Sequence, residues 1–253
     1  MSRAKIDRTN EIGYNNNGER MTIVRYGNCD DIDIQFDDGT IVEHRRYYDF
    51  EIGRVKNPMT PSLFGVGFIG KGRFKSVDEN GKETKCHKTW VHMMERCYDP
   101  KFQEKNPSYK GCKVCEEWHN FQVFAEWYYE HFYEIEGQRM DLDKDILHKG
   151  NKMYSPDTCV FTPQFINSLF TKCDKVRGDF PIGVSKENDK FKAYLTKDNK
   201  QINLGYYTTP EEAFQAYKQA KEQFIKEVAE KYKLQIPHEL YEALMNYKVE
   251  IDD

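Results

Sequence analysis

The chain has 253 residues, of which 38% are hydrophobic and 32% are charged. No run approaches the roughly 18 apolar residues that cross a membrane, and the first twenty residues contain no apolar stretch of the kind found in secretory signals. Seven cysteines, an odd number at irregular spacing, argue against a secreted disulfide framework, so we expect a reducing, cytoplasmic setting.

The formal net charge of −4 argues weakly against a nucleic-acid partner, but the charges are unevenly distributed. Residues 65–115 contain 11 basic and 6 acidic side chains, whereas residues 116–147 contain 2 basic and 9 acidic ones. A second mildly basic segment spans residues 175–200. The acidic segment provides carboxylates that could hold a metal ion, and the basic segments provide cations that could hold phosphate.

The first part of the chain is predicted to form a small antiparallel β domain without chemistry of its own. Between residues 21 and 57 apolar and polar residues alternate, which places Ile32, Ile34 and Phe36 on one face. Asp38-Gly39 follows directly and is a strong hairpin signal.

Two aromatic stripes at helical spacing follow, and we interpret both as core. The first contains Trp90, Met93, Met94 and Cys97. The second contains Trp118, Phe121, Phe124 and the pair Trp127-Tyr128. Further on, residues 142–170 have the pattern strand, turn, strand, helix, with Thr162-Pro163 as the predicted helix start.

After residue 180 the pattern predicts three short strands and a long amphipathic helix. The predicted turns are Glu187-Asn188-Asp189 and Asp198-Asn199. Thr208 or Thr209 is the predicted helix cap, with Pro210 at the first helical position. A short helix and an acidic tail are expected after residue 235.

Residues 142–170 resemble the ββα-metal finger of HNH endonucleases. Residues 88–170 as a whole, with "WVHMMERCY", "VCEEWHNFQVFAEW" and "LDKDILHKGNKMYSPDTCVF", resemble a group of phage and prophage proteins of that family. The resemblance implies that Asp143 and Asn167 are ligands of Mg²⁺ or Mn²⁺. It also implies hydrolysis of a phosphodiester bond by a metal-bound water that loses its proton to a base.

The general-base histidine of that family falls on Lys144, and a lysine is normally protonated at neutral pH. Three alternatives remain open. Asp145 could act as the base or as an additional ligand, His148 in the following turn could swing in, or Lys144 could itself act in deprotonated form. The candidate catalytic residues are therefore Asp143, Lys144, Asp145 and His148.

Residues 180–231 resemble the APETALA-two/ethylene-response-factor type of DNA-binding domain. The matching residues are Gly183-Val184, Leu204-Gly205-Tyr206 and "TPEEAFQAY" from Thr209. The resemblance implies that a three-stranded sheet binds double-stranded DNA. Most of the family's arginines are absent, and lysine lacks the fork that reads guanine, so we expect backbone-dominated binding. The predicted DNA-binding residues are Lys186, Lys190, Lys192, Tyr194 and Thr196; the alternative is a sheet that packs against other domains or a protein partner.

Cys112 and Cys115 have the spacing of a zinc knuckle. Cys97, Cys159 or His119 could complete a structural Zn²⁺ site with them. The competing interpretation is a set of buried thiols beside an aromatic core.

Together these features predict a multi-domain α+β protein. Its expected segments are a small antiparallel β domain (1–60), an HNH-like ββα-metal module with helices (61–172), a three-stranded sheet plus helix (173–234) and a C-terminal helix with an acidic tail (235–253). The leading hypothesis is a DNA-binding endonuclease of a phage or prophage, acting in the bacterial cytoplasm. The rivals are an inactive relative that binds DNA or blocks a host protein, as in anti-defence, and a transcriptional regulator. A homodimer is also open.

Overall fold

The computed structural model describes residues 6–170, 180–197 and 200–251. It contains both helices and antiparallel sheets, which confirms the α+β class. Its contacts divide the chain into two compact units. The first comprises Met1–Pro107 and Glu116–Glu126, and the second comprises Ser108–Cys115 and Trp127–Asp253. Within the described ranges, no helix is both long and apolar enough to span a bilayer.

The first unit begins with a four-stranded antiparallel sheet whose strands neighbour each other in chain order. One face is apolar, and Ile32, Ile34 and Phe36 are all buried in it, as the alternation predicts. Gly39 has a φ of +83° and makes the predicted hairpin turn. The elements are β1 (Ile12–Tyr14), β2 (Arg20–Asn28), β3 (Asp31–Phe36), β4 (Ile41–Arg45) and a short α1 (Tyr47–Glu51).

The first aromatic stripe forms the buried face of α2 (Lys85–Tyr98), which a short α3 (Pro100–Lys105) follows. The second stripe begins at Trp118 in a 3₁₀ turn and continues along α4 (Phe121–His131). The indole Nε1 of Trp90 donates a hydrogen bond to the carbonyl of Trp118 over 2.7 Å. Both stripes are core, as predicted.

The second unit contains the predicted strand–turn–strand–helix element. Strands β6 (Met140–Asp143) and β8 (Val160–Pro163) are antiparallel, and α5 (Gln164–Ser168) packs against both. Between them, β7 (Met153–Tyr154) pairs in parallel with β5 (Lys113–Val114). The predicted helix start at Thr162-Pro163 is wrong, because both residues belong to β8. Thr162 pairs with Asp141 and Pro163 pairs with Met140, so α5 begins one residue after Pro163.

The three predicted C-terminal strands are β9 (Val184–Glu187), β10 (Lys190–Lys197) and β11 (Lys200–Tyr207), in the order β11-β10-β9. Asn188, with a φ of +55°, makes the first predicted turn. The second, Asp198-Asn199, lies outside the described residues. Thr209 caps helix α6 (Pro210–Tyr232), because its side chain accepts the N–H of Glu212, and α7 (His238–Asn246) follows.

One apolar core joins the ββα element to the three-stranded sheet and its helices. Ile146, Val160 and Ile166 belong to the same buried cluster as Val184 and Leu195 of the sheet, together with residues of α6 and α7. The division into two units therefore differs from the four predicted segments. The predicted limit at 172/173 falls within residues 171–179, outside the described residues, so these limits stay a prediction.

Gly183 lies in close contact with Tyr217 of α6. Its φ is +74°, and an added Cβ would lie 2.0 Å from the ring of Tyr217. We expect Gly183→Ala to lower the free energy of unfolding by about 3 kcal/mol, because it adds both backbone strain and overpacking.

Gly137→Ala is the matched control, because Gly137 has a φ of +71° but an added Cβ there meets no described atom within 4 Å. It should cost only about 1 kcal/mol in urea-induced unfolding. Equal losses of unfolding free energy in Gly183→Ala and Gly137→Ala would contradict the close contact between Gly183 and Tyr217.

Candidate functional site

Asp143 ends β6, and its carboxylate is held by the turn that follows. Its Oδ1 accepts the backbone N–H of Asp145 at 2.9 Å and that of Ile146 at 2.8 Å. Burial, followed by the charge of Asp145, nevertheless raises the pKa of Asp143 to about 6. The structure therefore brings two carboxylates together at the end of β6, and their negative charge is only partly compensated.

Lys144 is directed into the loop. Its side chain is 7% exposed, and its Nζ donates to Asp145 Oδ2 at 3.2 Å and to the carbonyl of Asn151 at 3.1 Å. The ammonium group also lies 5.8 Å from the centroid of the Tyr154 ring. A buried cation needs such partners. The Lys144 side chain thus joins the two ends of the loop, with its Nζ directed away from solvent.

Asn151 completes this link, and the sequence reasoning missed it. Its Nδ2 donates to the carbonyls of Lys144 at 2.7 Å and Met153 at 2.6 Å, and its Oδ1 accepts the N–H of Met153. Lys144 and Asn151 therefore bond each other in both directions and close the segment that we call the site loop, residues 144–151. The sequence signal is the Gly150-Asn151 pair in a polar turn, a common setting for such side-chain-to-backbone bonds.

The remaining predicted residues lie on the same ββα element. Asp145 and His148 are exposed on the site loop, and the carbonyl of His148 accepts the N–H of Asn151 at 3.0 Å. Asn167 is half-buried on α5, the helix that packs against β6. One element thus contains all five predicted catalytic and metal-binding residues.

The predicted zinc ligands gain no support from the structure. Cys97, Cys112 and Cys159 are buried, Cys115 is half-buried, and burial raises the pKa of the Cys159 thiol to about 12. Among the described residues, one group of three His, Cys, Asp or Glu side chains has ligand atoms close enough for a shared ion, and it contains no cysteine. The zinc site stays a prediction.

That group is Asp31, Asp33 and His44 on the N-terminal sheet, which the sequence analysis did not single out. The Arg25 guanidinium bonds to both carboxylates, and His44 Nδ1 lies 2.8 Å from Asp31 Oδ1. The Arg25 bonds, followed by that of His44, lower the pKa of Asp31 to about 2. Because Arg25 already compensates the two charges, this group holds β2, β3 and β4 together and gives little reason to bind a metal ion.

The three-stranded sheet has one face against α6 and one open face. Ala193 and Leu195 of β10 are buried in the core, so the residues between them point the other way. The predicted DNA-binding residues Lys190, Lys192, Tyr194 and Thr196 share this open face. The face also contains Glu187, whose Oε2 accepts the hydroxyl of Tyr206 at 3.1 Å and lies 3.8 Å from Lys192 Nζ.

Lys186 does not share the open face. It pairs directly with Phe191, whose ring packs against the core, so Lys186 projects from the α6 side at the edge of the sheet. Directly paired residues point to the same face, which fixes this assignment. The sequence contains a signal for this face, because Val184 lies two residues before Lys186 on the same strand and is buried in the core.

No protein-family model, curated protein or solved structure matches the chain. The chemistry of the site therefore rests on the residues themselves.

The raised pKa of Asp143 makes stability depend on pH. Below pH 3.8, the ordinary pKa of an aspartate, the carboxyl is protonated in both the folded and the unfolded chain. It then makes no contribution to the free energy of unfolding. Above about pH 6 the Asp143 carboxyl is ionised in the folded chain, and this charge lowers the free energy of unfolding. Asp143→Asn retains an oxygen for the two N–H groups and should raise the free energy of unfolding at pH 7.5 by up to about 3 kcal/mol, with no gain near pH 3.5.

Urea-induced unfolding of both proteins at the two pH values, without divalent cations, measures this difference. The exposed Asp157→Asn is the control and should change stability little at either pH. A gain for Asp143→Asn of the same size at both pH values would contradict the role of the buried charge.

Lys144→Met tests the structural role of the ammonium. It removes both hydrogen bonds and leaves the Asn151 carbonyl without its partner, so we expect a loss of about 1–3 kcal/mol in urea-induced unfolding. The exposed Lys110→Met should change stability by less than about 0.5 kcal/mol. A Lys144→Met protein as stable as the wild type would show that the link is dispensable.

Proposed function

We propose that the protein is a DNA-binding endonuclease of the HNH type that hydrolyses phosphodiester bonds with a divalent metal ion. The observation that supports it most is the half-buried carboxylate of Asp143 at the end of β6, which lies beside Asp145 and is incompletely compensated. Carboxylates whose pKa is raised by burial and a neighbouring charge cluster at functional sites. The ββα arrangement of β6, β8 and α5 supports the same proposal.

The donor set fits Mg²⁺ or Mn²⁺. Carboxylate and amide oxygens are the ligands that these hard cations prefer, and Asp143, Asp145 and Asn167 supply them. The two backbone N–H groups hold Asp143 by Oδ1, which would leave Oδ2 for the cation. A cation there would also relieve the repulsion between Asp143 and Asp145. When bound, it would supply electrostatic stabilisation of the charge that develops on the scissile phosphate.

Removal of the proton from the attacking water would fall to a residue other than Lys144. Lys144 donates into the loop, and it fixes Asp145 and the segment up to Asn151. His148 is exposed on the same loop, and a neutral imidazole is the usual base for such a step. Asp145 is the alternative base, in which case it would contribute less to binding of the cation.

The open face of the three-stranded sheet would place double-stranded DNA. Lys190 and Lys192 supply cations for phosphate oxygens, and Tyr194 and Thr196 supply hydroxyl groups beside them. Lys186, on the other face, could contact only DNA that wraps around the edge strand β9.

A second candidate is a protein on this scaffold that binds DNA, or blocks a host protein, without cleaving DNA. The observation in its favour is the buried Lys144 in the position of the family's base. Glu187 on the open face favours a protein target over DNA, because it faces Lys192 and would repel phosphate.

Incubation of the full-length protein with supercoiled plasmid and Mg²⁺ or Mn²⁺ tests the proposal. The wild type should nick or linearise the plasmid, and Asp143→Ala should reduce the rate by about 100-fold or more, because a metal ligand is lost. His148→Ala should give a comparable loss if His148 is the base, and Asp145→Asn should do so if Asp145 is.

A gel-shift experiment with the same DNA separates the two candidates. The double variant Lys190→Gln, Lys192→Gln should weaken DNA binding, whereas Asp157→Asn should not. A shift without cleavage in either metal would overturn the nuclease and leave the second candidate. The absence of both cleavage and a shift would overturn DNA as the target and leave a protein partner.

A further inference from the structure

Residues 247–249, which we call the C-terminal strap, lie against the helix of the three-stranded sheet. Val249 is buried, its N–H donates to Glu222 Oε1 at 3.0 Å, and its carbonyl accepts a hydrogen bond from Lys218 Nζ. Lys248 Nζ lies 3.6 Å from Glu222 Oε2. These contacts fix the strap to α6 at both the backbone and the side-chain level.

The other side of the strap contacts the ββα element. Lys149, next to His148 in the site loop, donates from Nζ to the carbonyl of Lys248 at 3.1 Å. The same ammonium lies 5.1 Å from the centroid of the Tyr247 ring. The ring of Phe170, just after α5, lies 4.6 Å from that of Tyr247. The strap therefore contacts the site loop and the end of α5 at once.

A backbone hydrogen bond within the site loop joins the N–H of Asn151 to the carbonyl of His148 at its tip. Lys144 and Asn151 close the base of the loop, and Asp143 accepts the N–H groups of Asp145 and Ile146. His148 and Lys149 lie between these anchors and are exposed. The bond from Lys149 to the strap is a contact from the tip to another part of the chain, so the strap limits the movement of His148.

We propose that the C-terminal strap positions the site loop, with Lys149 and Tyr247 as the positioning residues that connect His148 to α6. The effect on cleavage rests on the proposed endonuclease function, whereas the restraint on the loop does not. A base must stay within hydrogen-bond reach of the water it activates, and a displacement of about 1 Å costs roughly 100-fold in rate. The strap would thereby couple the sheet that places DNA to the residue that activates water.

Hydrogen–deuterium exchange of the full-length protein tests the restraint without reference to activity. The readout is the exchange of the backbone amides of Asp145 and Ile146, which donate to Asp143 Oδ1, and of Asn151, which donates to the carbonyl of His148. Lys149→Met should increase their exchange by about tenfold through easier local opening. Tyr247→Ala should act in the same direction. Unchanged exchange in both variants would overturn the proposal.

Lys152→Met is the matched control, because Lys152 Nζ donates to a backbone carbonyl, that of Ser108, at 2.7 Å outside the strap. It should leave the three amides unchanged; faster exchange in this variant as well would show that loss of any such lysine loosens the loop, and would overturn a specific role of the strap. A chain that ends at Asn246 lacks the strap entirely and should show the largest effect, with unfolding monitored by circular dichroism.

Plasmid cleavage then separates the two proposals. If the wild type cleaves DNA, Lys149→Met should lower kcat while KM stays unchanged, because the sheet that binds DNA is intact. Faster exchange without cleavage by any protein would retain the positioning role and overturn the endonuclease. Cleavage with unchanged exchange in Lys149→Met and Tyr247→Ala would retain the endonuclease and overturn the strap.

Discussion

The ammonium group of Lys144 is buried and therefore needs hydrogen-bond acceptors around it. This requirement determines the shape of the loop after β6. A desolvated cation is costly unless acceptors surround it, and the nearest acceptors are Asp145 and the carbonyl of Asn151. Once these are in place, Asn151 returns a bond to the backbone of Lys144. These bonds hold the two ends of the loop together, and Asp143 is held at the point where the loop leaves the strand.

The shared core of the second unit extends this constraint beyond the loop. Ile146 and Val160 pack in the same cluster as the residues of α6, so the ββα element and the three-stranded sheet have no separate interiors. The sequence predicts separate segments for them, 61–172 and 173–234. A continuous apolar core makes relative motion expensive, since any separation exposes buried surface. A ligand on the sheet would therefore face a site with a nearly fixed position.

Local signals predicted the elements well, and long-range pairing explains what they missed. Three of these signals are the hairpin pair Asp38-Gly39, the stripe that begins at Trp90 and the helix cap Thr209. Each depends on residues close together in the chain, so the local sequence is enough to predict the element. Thr162-Pro163 also looked like a helix start, but pairing with β6 outweighed it. The resemblance assigns Lys186 to DNA binding, whereas the buried Val184 two residues before it places it on the α6 side. The inward direction of Lys144 depends on Asn151, seven residues away.

Glu187 has a consequence for the character of any nucleic-acid complex. The open face contains two lysines, Lys190 and Lys192, and one glutamate, Glu187. Its net charge is therefore only about +1. Few condensed counterions would leave the DNA on association, so the affinity would depend weakly on ionic strength. Selectivity would then have to come from uncharged groups, such as the Tyr194 hydroxyl and the amides of Gln201 and Asn203, whose register partners place them on the same face. A surface of this kind discriminates by shape and hydrogen bonding, which protein targets offer as readily as a double helix does.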